Sequence, residues 1–184
     1  MHQRLNIITG HRPERMPLLR DEMERQGIVN YTFWDSVYLP SIKASINAAH
    51  RQIVEYAKVA EFPDVLIAED DFVGTHDDSF KYFLSKRPKD YDLYHSMIYL
   101  GDIDENNKVK KFTGMTMYLV SEKYYDKFLS VDPNEHIDHA LSTIGGDFHV
   151  CNPFAFVQRN GFSANTGKNE VYDGLLADRQ LFGG

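Results

Sequence analysis

A chain of 184 residues that is 42% hydrophobic and 13% aromatic has room for one domain with a real core, which excludes a disordered chain and two ordinary domains. Its formal net charge of -7 excludes a broad nucleic-acid footprint, which needs basic stripes, yet suits a phosphate site where a cation supplies the local positive charge. The single cysteine, Cys151, rules out an intramolecular disulfide and, among apolar neighbours, reads as an inert core thiol. Met1-His2-Gln3-Arg4 leads into a short apolar run without the long apolar core of a signal peptide, and no stretch approaches the roughly 20 apolar residues of a membrane span. These features predict a cytoplasmic protein with no transmembrane segment. Peripheral contact with a membrane that carries an acceptor is compatible with them.

Leu5-Asn6-Ile7-Ile8-Thr9, closed by Gly10, reads as a buried strand. Met16, Leu19 and Met23 then recur at helical spacing, with Pro17 tolerable in the first turn and Gly27 as the stop. Tyr31-Thr32-Phe33-Trp34 is a second strand ending at Asp35. Ser41 caps the clearest helix, whose apolar face carries Ile42, Ile46, Ala49, Ile53 and Tyr56 or Ala57, and Pro63 ends it. Val65-Leu66-Ile67-Ala68 lacks polar alternation, as expected of a strand buried on both faces. A helix over Asp78 to Ser85, a strand near Asp92 to Tyr99, a polar turn over Asp102 to Lys111 and a strand over Thr113 to Val120 follow. Ser121 is placed to cap a helix bearing Tyr124, Tyr125, Phe128 and Leu129, and Phe148 to Gln158 holds one or two short strands. The core spans about 4–160, and the polar, glycine-bearing stretch 161–184 reads as a mobile C-terminal segment. Strands alternating with helices predict a single α/β domain over 1–184 with a mostly parallel sheet flanked by helices.

Chemistry is expected outside the carboxyl ends of such strands, where Glu69-Asp70-Asp71 follows Ala68. Three adjacent carboxylates repel one another and call for a hard cation such as Mg²⁺ or Mn²⁺. Extended backbone puts Glu69 and Asp71 on one face and Asp70 on the other, so a metal meets Glu69 and Asp71, or Asp71 plus water, more easily than all three. A solvated acidic turn is the competing reading. Arg12 and Arg15, after the first strand, suit a diphosphate, although ordinary surface arginines fit the pattern too. His50 lies mid-helix beside Ala49, where a hydrogen-bonded structural histidine is common. His136, Asp138 and His139 form a polar group that serves as ligands, as a base, or as the cap of a helix.

Several of these segments resemble, in order, one family. Asn6-Ile7-Ile8 with Arg12-Pro13-Glu14-Arg15, Phe33-Trp34-Asp35, Ile46-Asn47-Ala48-Ala49-His50, Val65 through Glu69-Asp70-Asp71, Thr113-Gly114 through Ser121, Ile137-Asp138-His139-Ala140-Leu141 and Asn152-Pro153-Phe154 to Gln158 are similar to motifs of the family 25 glycosyltransferases. That family includes lipopolysaccharide-biosynthesis sugar transferases and collagen galactosyltransferases. The chain departs from it by being short between Gly101 and Lys111 and around Gly145-Gly146, stretches that shape the acceptor side.

The resemblance implies a GT-A fold and a metal-dependent, inverting transfer from a nucleotide-sugar, uridine diphosphate in kind, to a hydroxyl acceptor such as a surface glycan. It implies Glu69 and Asp71 in the metal shell, directly or through water, Mn²⁺ or Mg²⁺ as the ion, and Asp138 as the base; His149 is added as a late metal ligand only by its place near the end of the sheet. Arg12, Arg15, Asp35, His50 and Asp70 fall on the nucleotide side. The alternative is a nucleotide-sugar-binding module of the same fold without transfer.

Overall fold

Val65 to Ala68 is apolar without a break because the strand it forms is covered on both sides. The computed structural model describes residues 4–10, 12–163 and 165–184. In chain order its elements are β1 (Leu5–Thr9), α1 (Arg15–Arg25), β2 (Tyr31–Asp35), α2 (Ile42–Val59), β3 (Asp64–Glu69), β4 (Phe72–Gly74), α3 (Ser79–Ser85) and β5 (Leu93–His95). They continue with β6 (Lys108–Val109), β7 (Met117–Ser121), α4 (Tyr125–Leu129), α5 (Ile137–Ile144), β8 (Phe148–Val150), β9 (Phe156–Gln158), β10 (Gly161–Ser163) and β11 (Lys168–Glu170). The central sheet has seven strands in the order β2-β1-β3-β7-β5-β8-β6. β2, β1 and β3 run parallel, as do β5 and β8, whereas β7 is antiparallel to both β3 and β5, and β6 to β8.

Alternate residues of β3 enter opposite cores. Val65 and Ile67 pack with Ala49 and Ile53 of α2, Phe128 of α4 and Leu141 of α5, while Leu66 and Ala68 pack with Leu19 and Met23 of α1 and Phe83 of α3. Helices therefore cover both faces, the arrangement that near-continuous apolar strands require. The Ser41 hydroxyl accepts from Ala44 N at 3.5 Å and caps α2, and Gly27, at φ +64, stops α1. On α2, Ala49, Ile53 and Ala57 are buried as the apolar stripe predicts, but Ile42 is 50% exposed and, with Ile46, lines a cavity.

Three local expectations are corrected. The strand expected over Thr113 to Val120 begins only at Met117, because Gly114 takes φ +94 and lies where a Cβ would be 2.8 Å from the Tyr99 ring. The strand expected near Asp92 to Tyr99 is regular only over Leu93–His95, after which single bonds such as Tyr99 N to Thr113 O (2.8 Å) continue the pairing irregularly. Ser121 holds the N-cap position of a 3₁₀ turn over Glu122–Tyr124 that leads into α4, but its buried hydroxyl makes no cap bond and has no hydrogen-bond partner among the described residues. β4, which no periodicity marked, pairs antiparallel with β9.

His95, at the end of β5, is fully buried against Phe112, with a ring separation of 4.3 Å and neither ring nitrogen hydrogen-bonded among the described residues. Burial pushes its pKa down to about 3. Unfolding restores a value near about 6.5, so the unfolded chain binds the extra proton between these limits. The native contribution is complete above the upper limit and is lost as the pH falls toward the lower one. Between pH 7 and 5 this amounts to about 2 kcal/mol. Thermal melts should show His95→Leu losing less stability over that interval than the wild type, and equal losses would remove His95 as the cause.

Candidate active site

Gly10 ends β1 and turns the chain into α1, which brings Arg12 and Arg15 to the carboxyl end of the sheet. β3 stops at Glu69, so Asp70 and Asp71 lie in the turn before β4 and escape the strand's alternation. The two aspartates consequently share a cation instead of facing apart. Arg15 Nη1 lies 2.8 Å from Asp70 Oδ1 and 2.7 Å from Asp71 Oδ2, with both carboxylate side chains 6% exposed. The second Asp70 oxygen accepts from Gly10 N at 2.9 Å. Gln158 Nε2 donates to Asp71 Oδ2 at 3.0 Å, and Gln158 Oε1 accepts from the Tyr99 hydroxyl at 2.8 Å. Asp71 Oδ1 is buried and has no hydrogen-bond partner among the described residues. Burial first, then the Glu69 charge, pushes the Asp71 carboxyl up to about 6, against the opposing pull of Arg15. For Arg15, burial acts downward but the charges of Asp71 and Asp70 outweigh it and raise its pKa.

His50, on α2, is buried and tied to β7: its Nδ1 is 2.6 Å from the Tyr118 hydroxyl, and its Nε2 is 3.4 Å from Glu69 Oε1. With the Tyr118 O–H donating to Nδ1, Nε2 carries the proton and faces the carboxylate. His50 thus braces Glu69, whose side chain is 29% exposed and lines the cavity. This cavity, of about 550 Å³, falls within the size range of small-molecule sites. Its apolar wall comes from Val37 to Leu39 after β2, Ile42 and Ile46 of α2, and Met115.

Asp138 lines the same cavity from α5. His136, not Asp138, occupies the N-cap position and makes no side-chain cap bond. Asp138 instead accepts from His139 N (2.8 Å) and from Gly114 N (3.0 Å), which anchors the open backbone before β7. The structure therefore brings Arg12, Arg15, His50, Glu69, Asp70, Asp71 and Asp138 to one cavity.

Asp35 and His149 are not among its walls. Asp35 is exposed at the end of β2 with its carbonyl bonded to Gln52, and Ser36 lines the cavity beside it. His149 pairs with Tyr94 and Lys108 on β8, separated from β3 by β7 and β5. Its Nε2 lies 3.3 Å from Asp147 Oδ1, which also receives Lys108 Nζ at 2.6 Å.

Other contributors carried no signal of their own. Gln158 closes a segment singled out in the sequence, but nothing in it pointed to Asp71, and Tyr99, beyond the end of β5, is an unmarked residue until the fold sets its hydroxyl on Gln158. Residues 161–184 pair β10 with β11, place Tyr172 on the cavity wall stacked on Tyr99 (5.1 Å), and bury Leu176. The Phe162 carbonyl accepts from Arg12 Nη1 (3.0 Å) and Arg15 Nη2 (2.7 Å). No periodicity foreshadows a main-chain oxygen in such a role.

Among the described residues no group of three or more His, Cys, Asp or Glu side chains is gathered to hold a metal. The donor set nonetheless fits a hard cation completed by water and phosphate. Asp71 Oδ1 is an orphaned carboxylate oxygen, Glu69 reaches the cavity, and Mg²⁺-type ions are held by one or two carboxylates plus substrate oxygens. Both Asp70 oxygens are already engaged, which leaves that residue to position Gly10 and Arg15.

No protein-family profile matches the chain, and no curated protein matches it in sequence. Solved structures do match in three dimensions. HddC from Yersinia pseudotuberculosis complexed with GMP-PN superposes with a TM-score of 0.55 at 17% identity, covering 85% of this chain and 93% of that one. Mannose-1-phosphate geranyltransferase from Thermus thermophilus gives 0.56 at 10% identity, with 88% and 77% covered. A mutant Drosophila beta-1,4-galactosyltransferase 7 in complex with manganese, UDP-Gal and xylobiose gives 0.53 at 11% identity, with 100% and 82% covered. The fold is GT-A-like. No helix among the described residues is long and apolar enough to cross a membrane.

Proposed function

We propose that this protein is a single-domain, cytoplasmic, metal-dependent glycosyltransferase that moves a sugar from a uridine diphosphate donor to a hydroxyl acceptor with inversion. The observation that carries the reading is the meeting, in one cavity at the carboxyl ends of β1 and β3, of Arg12, Arg15, Glu69 and the unpartnered Asp71 oxygen with Asp138 on α5. Glu69 and Asp71 are the residues to hold Mn²⁺ or Mg²⁺, which supplies charge neutralisation for the departing diphosphate when bound. Arg12 and Arg15 exchange the Phe162 carbonyl for donor phosphate oxygens, a stronger, charge-assisted partner. His50 keeps Glu69 in place. Asp138 takes the acceptor hydroxyl proton as that oxygen attacks the anomeric carbon and the nucleoside diphosphate leaves.

One observation favours binding without transfer: Arg15 already bridges Asp70 and Asp71. Turnover separates the two readings. Uridine diphosphate at about 100 times its Kd should stabilise the protein by about 2.7 kcal/mol with Mn²⁺, roughly 5–10 °C in melting temperature, and much less with EDTA. A panel of nucleotide-sugars should then release diphosphate with at least one donor. Equal stabilisation in Mn²⁺ and EDTA sinks the metal site, and binding without release favours the second reading.

Asp71→Asn keeps volume and removes a charge that burial disfavours, so its melting temperature should stay near the wild-type value while the Mn²⁺-dependent response disappears. A full Mn²⁺ response in this variant excludes Asp71 as a ligand.

A further inference from the structure

Resting on the transferase reading, we infer that Tyr99 and Gln158 are positioning residues for Asp71. The Tyr99 hydroxyl fixes the Gln158 amide, and that amide turns the Asp71 carboxylate so that Oδ1 is the oxygen offered to the ion. Two donors converge on the other oxygen. Arg15 Nη1 lies 2.7 Å from Asp71 Oδ2 and Gln158 Nε2 lies 3.0 Å from it, which leaves Oδ1 buried and without a hydrogen-bond partner among the described residues. A buried carboxylate oxygen left unpaired is costly, so a side chain held in that pose points to a ligand that completes it. One donor would leave the carboxylate plane free to swing. Two donors from different side chains fix it.

The place of Gln158 follows from the backbone. β9 pairs antiparallel with β4 in a register that sets Gln158 opposite Phe72, the residue after Asp71, and Arg159 N donates to the Asp71 carbonyl at 2.7 Å. The side chain therefore starts beside Asp71, and what remains open is which end of its amide faces the carboxylate. Tyr99 decides it. Its hydroxyl donates to Gln158 Oε1 at 2.8 Å, so Nε2 is the end that faces Asp71. With the amide reversed, an amide oxygen would oppose a carboxylate oxygen, two acceptors with no proton between them. The Tyr99 ring is held in turn. Tyr172 stacks on it with centroids 5.1 Å apart and planes 20° from parallel, and Gly114 lies so close that a Cβ there would be 2.8 Å from the ring. Asp138 accepts from Gly114 N, so the same ring joins the α5 side of the cavity to Asp71.

The test is a Mn²⁺ titration of the full chain, with and without uridine diphosphate, read from the electron paramagnetic resonance signal of the free ion well below each variant's melting temperature. Gln158→Met keeps the length and loses both polar ends, and Tyr99→Phe keeps the ring that packs on Tyr172 and Gly114. Each should weaken Mn²⁺ binding about ten-fold, the lower end of the range for residues that orient a metal ligand. Because Tyr99 acts through Gln158, the double variant should bind no more weakly than Gln158→Met alone, whereas independent effects would multiply. A purely structural pair predicts lower melting temperatures with Mn²⁺ affinity unchanged. Unchanged affinity in either single variant, or multiplied losses in the double variant, overturns the inference. A wild-type chain that binds no Mn²⁺ overturns it together with the metal site. Release of nucleoside diphosphate from the donor panel is scored on the same wild-type samples. Mn²⁺ binding with the expected losses but no release would sink transfer alone and leave the positioning roles standing.

Discussion

Arg15→Ala should lower the melting temperature by roughly 6–20 °C, the largest stability effect expected of any single substitution in the site. The guanidinium is 13% exposed and is the shared partner of two aspartates that are 6% exposed, and it also donates to the Phe162 carbonyl. Removing one partner of a buried ion pair leaves the other charge uncompensated, which costs about 3–5 kcal/mol. The loss should be partly reversible by chemistry instead of by shape. With Asp71→Asn added, one of the stranded charges is gone, and the double variant should melt above Arg15→Ala alone. Calorimetry on the three variants decides it: a single variant within a degree of wild type, or a double variant no better than the single, would mean the bridge contributes little. The same substitution should abolish the response to uridine diphosphate, because Arg15 is also placed to meet the donor phosphates.

Asp138→Asn should slow sugar transfer by about 10²–10⁴-fold, the range typical of a positioned general base, with little change in donor affinity. The proposed donor contacts lie on the β1 and β3 side, whereas Asp138 sits on α5 across the cavity. A purely structural Asp138 makes a different forecast. Both its oxygens accept main-chain hydrogen bonds, from Gly114 N and His139 N, and an asparagine amide can keep only one of them. The expected structural cost is therefore about 1 kcal/mol of stability with transfer nearly preserved. Measuring transfer rate, donor affinity and melting temperature on one variant separates these outcomes. Full transfer with a small drop in melting temperature would reduce Asp138 to an anchor for the Gly114 segment and shift the search for the base to His136, which shares the cavity.

Local patterning was enough for the scaffold. The unbroken apolar run at Val65–Ala68, the stripe at Ala49, Ile53 and Ala57, and the stops at Gly27 and Pro63 are short-range consequences of side-chain burial and backbone geometry, and they imply a layered α/β fold by themselves. The same short-range logic marked Glu69 to Asp71 as a place needing compensation. It could not say what compensates. The strand alternation that would pair Glu69 with Asp71 ends one residue too early, because β3 stops at Glu69, and the turn aims Asp70 and Asp71 together at Arg15, 55 and 56 residues away in sequence. Gln158 against Asp71, the Phe162 carbonyl against two arginines, and Tyr172 on Tyr99 are likewise meetings of distant segments that no local period encodes. His149 illustrates the reverse. Its place near the end of a strand is readable from sequence, but the order β3-β7-β5-β8 carries that strand to the far side of the sheet. Which strand lies beside which is set by crossovers and by the packing of α2, α4 and α5 over one face, so it belongs to the tertiary structure alone.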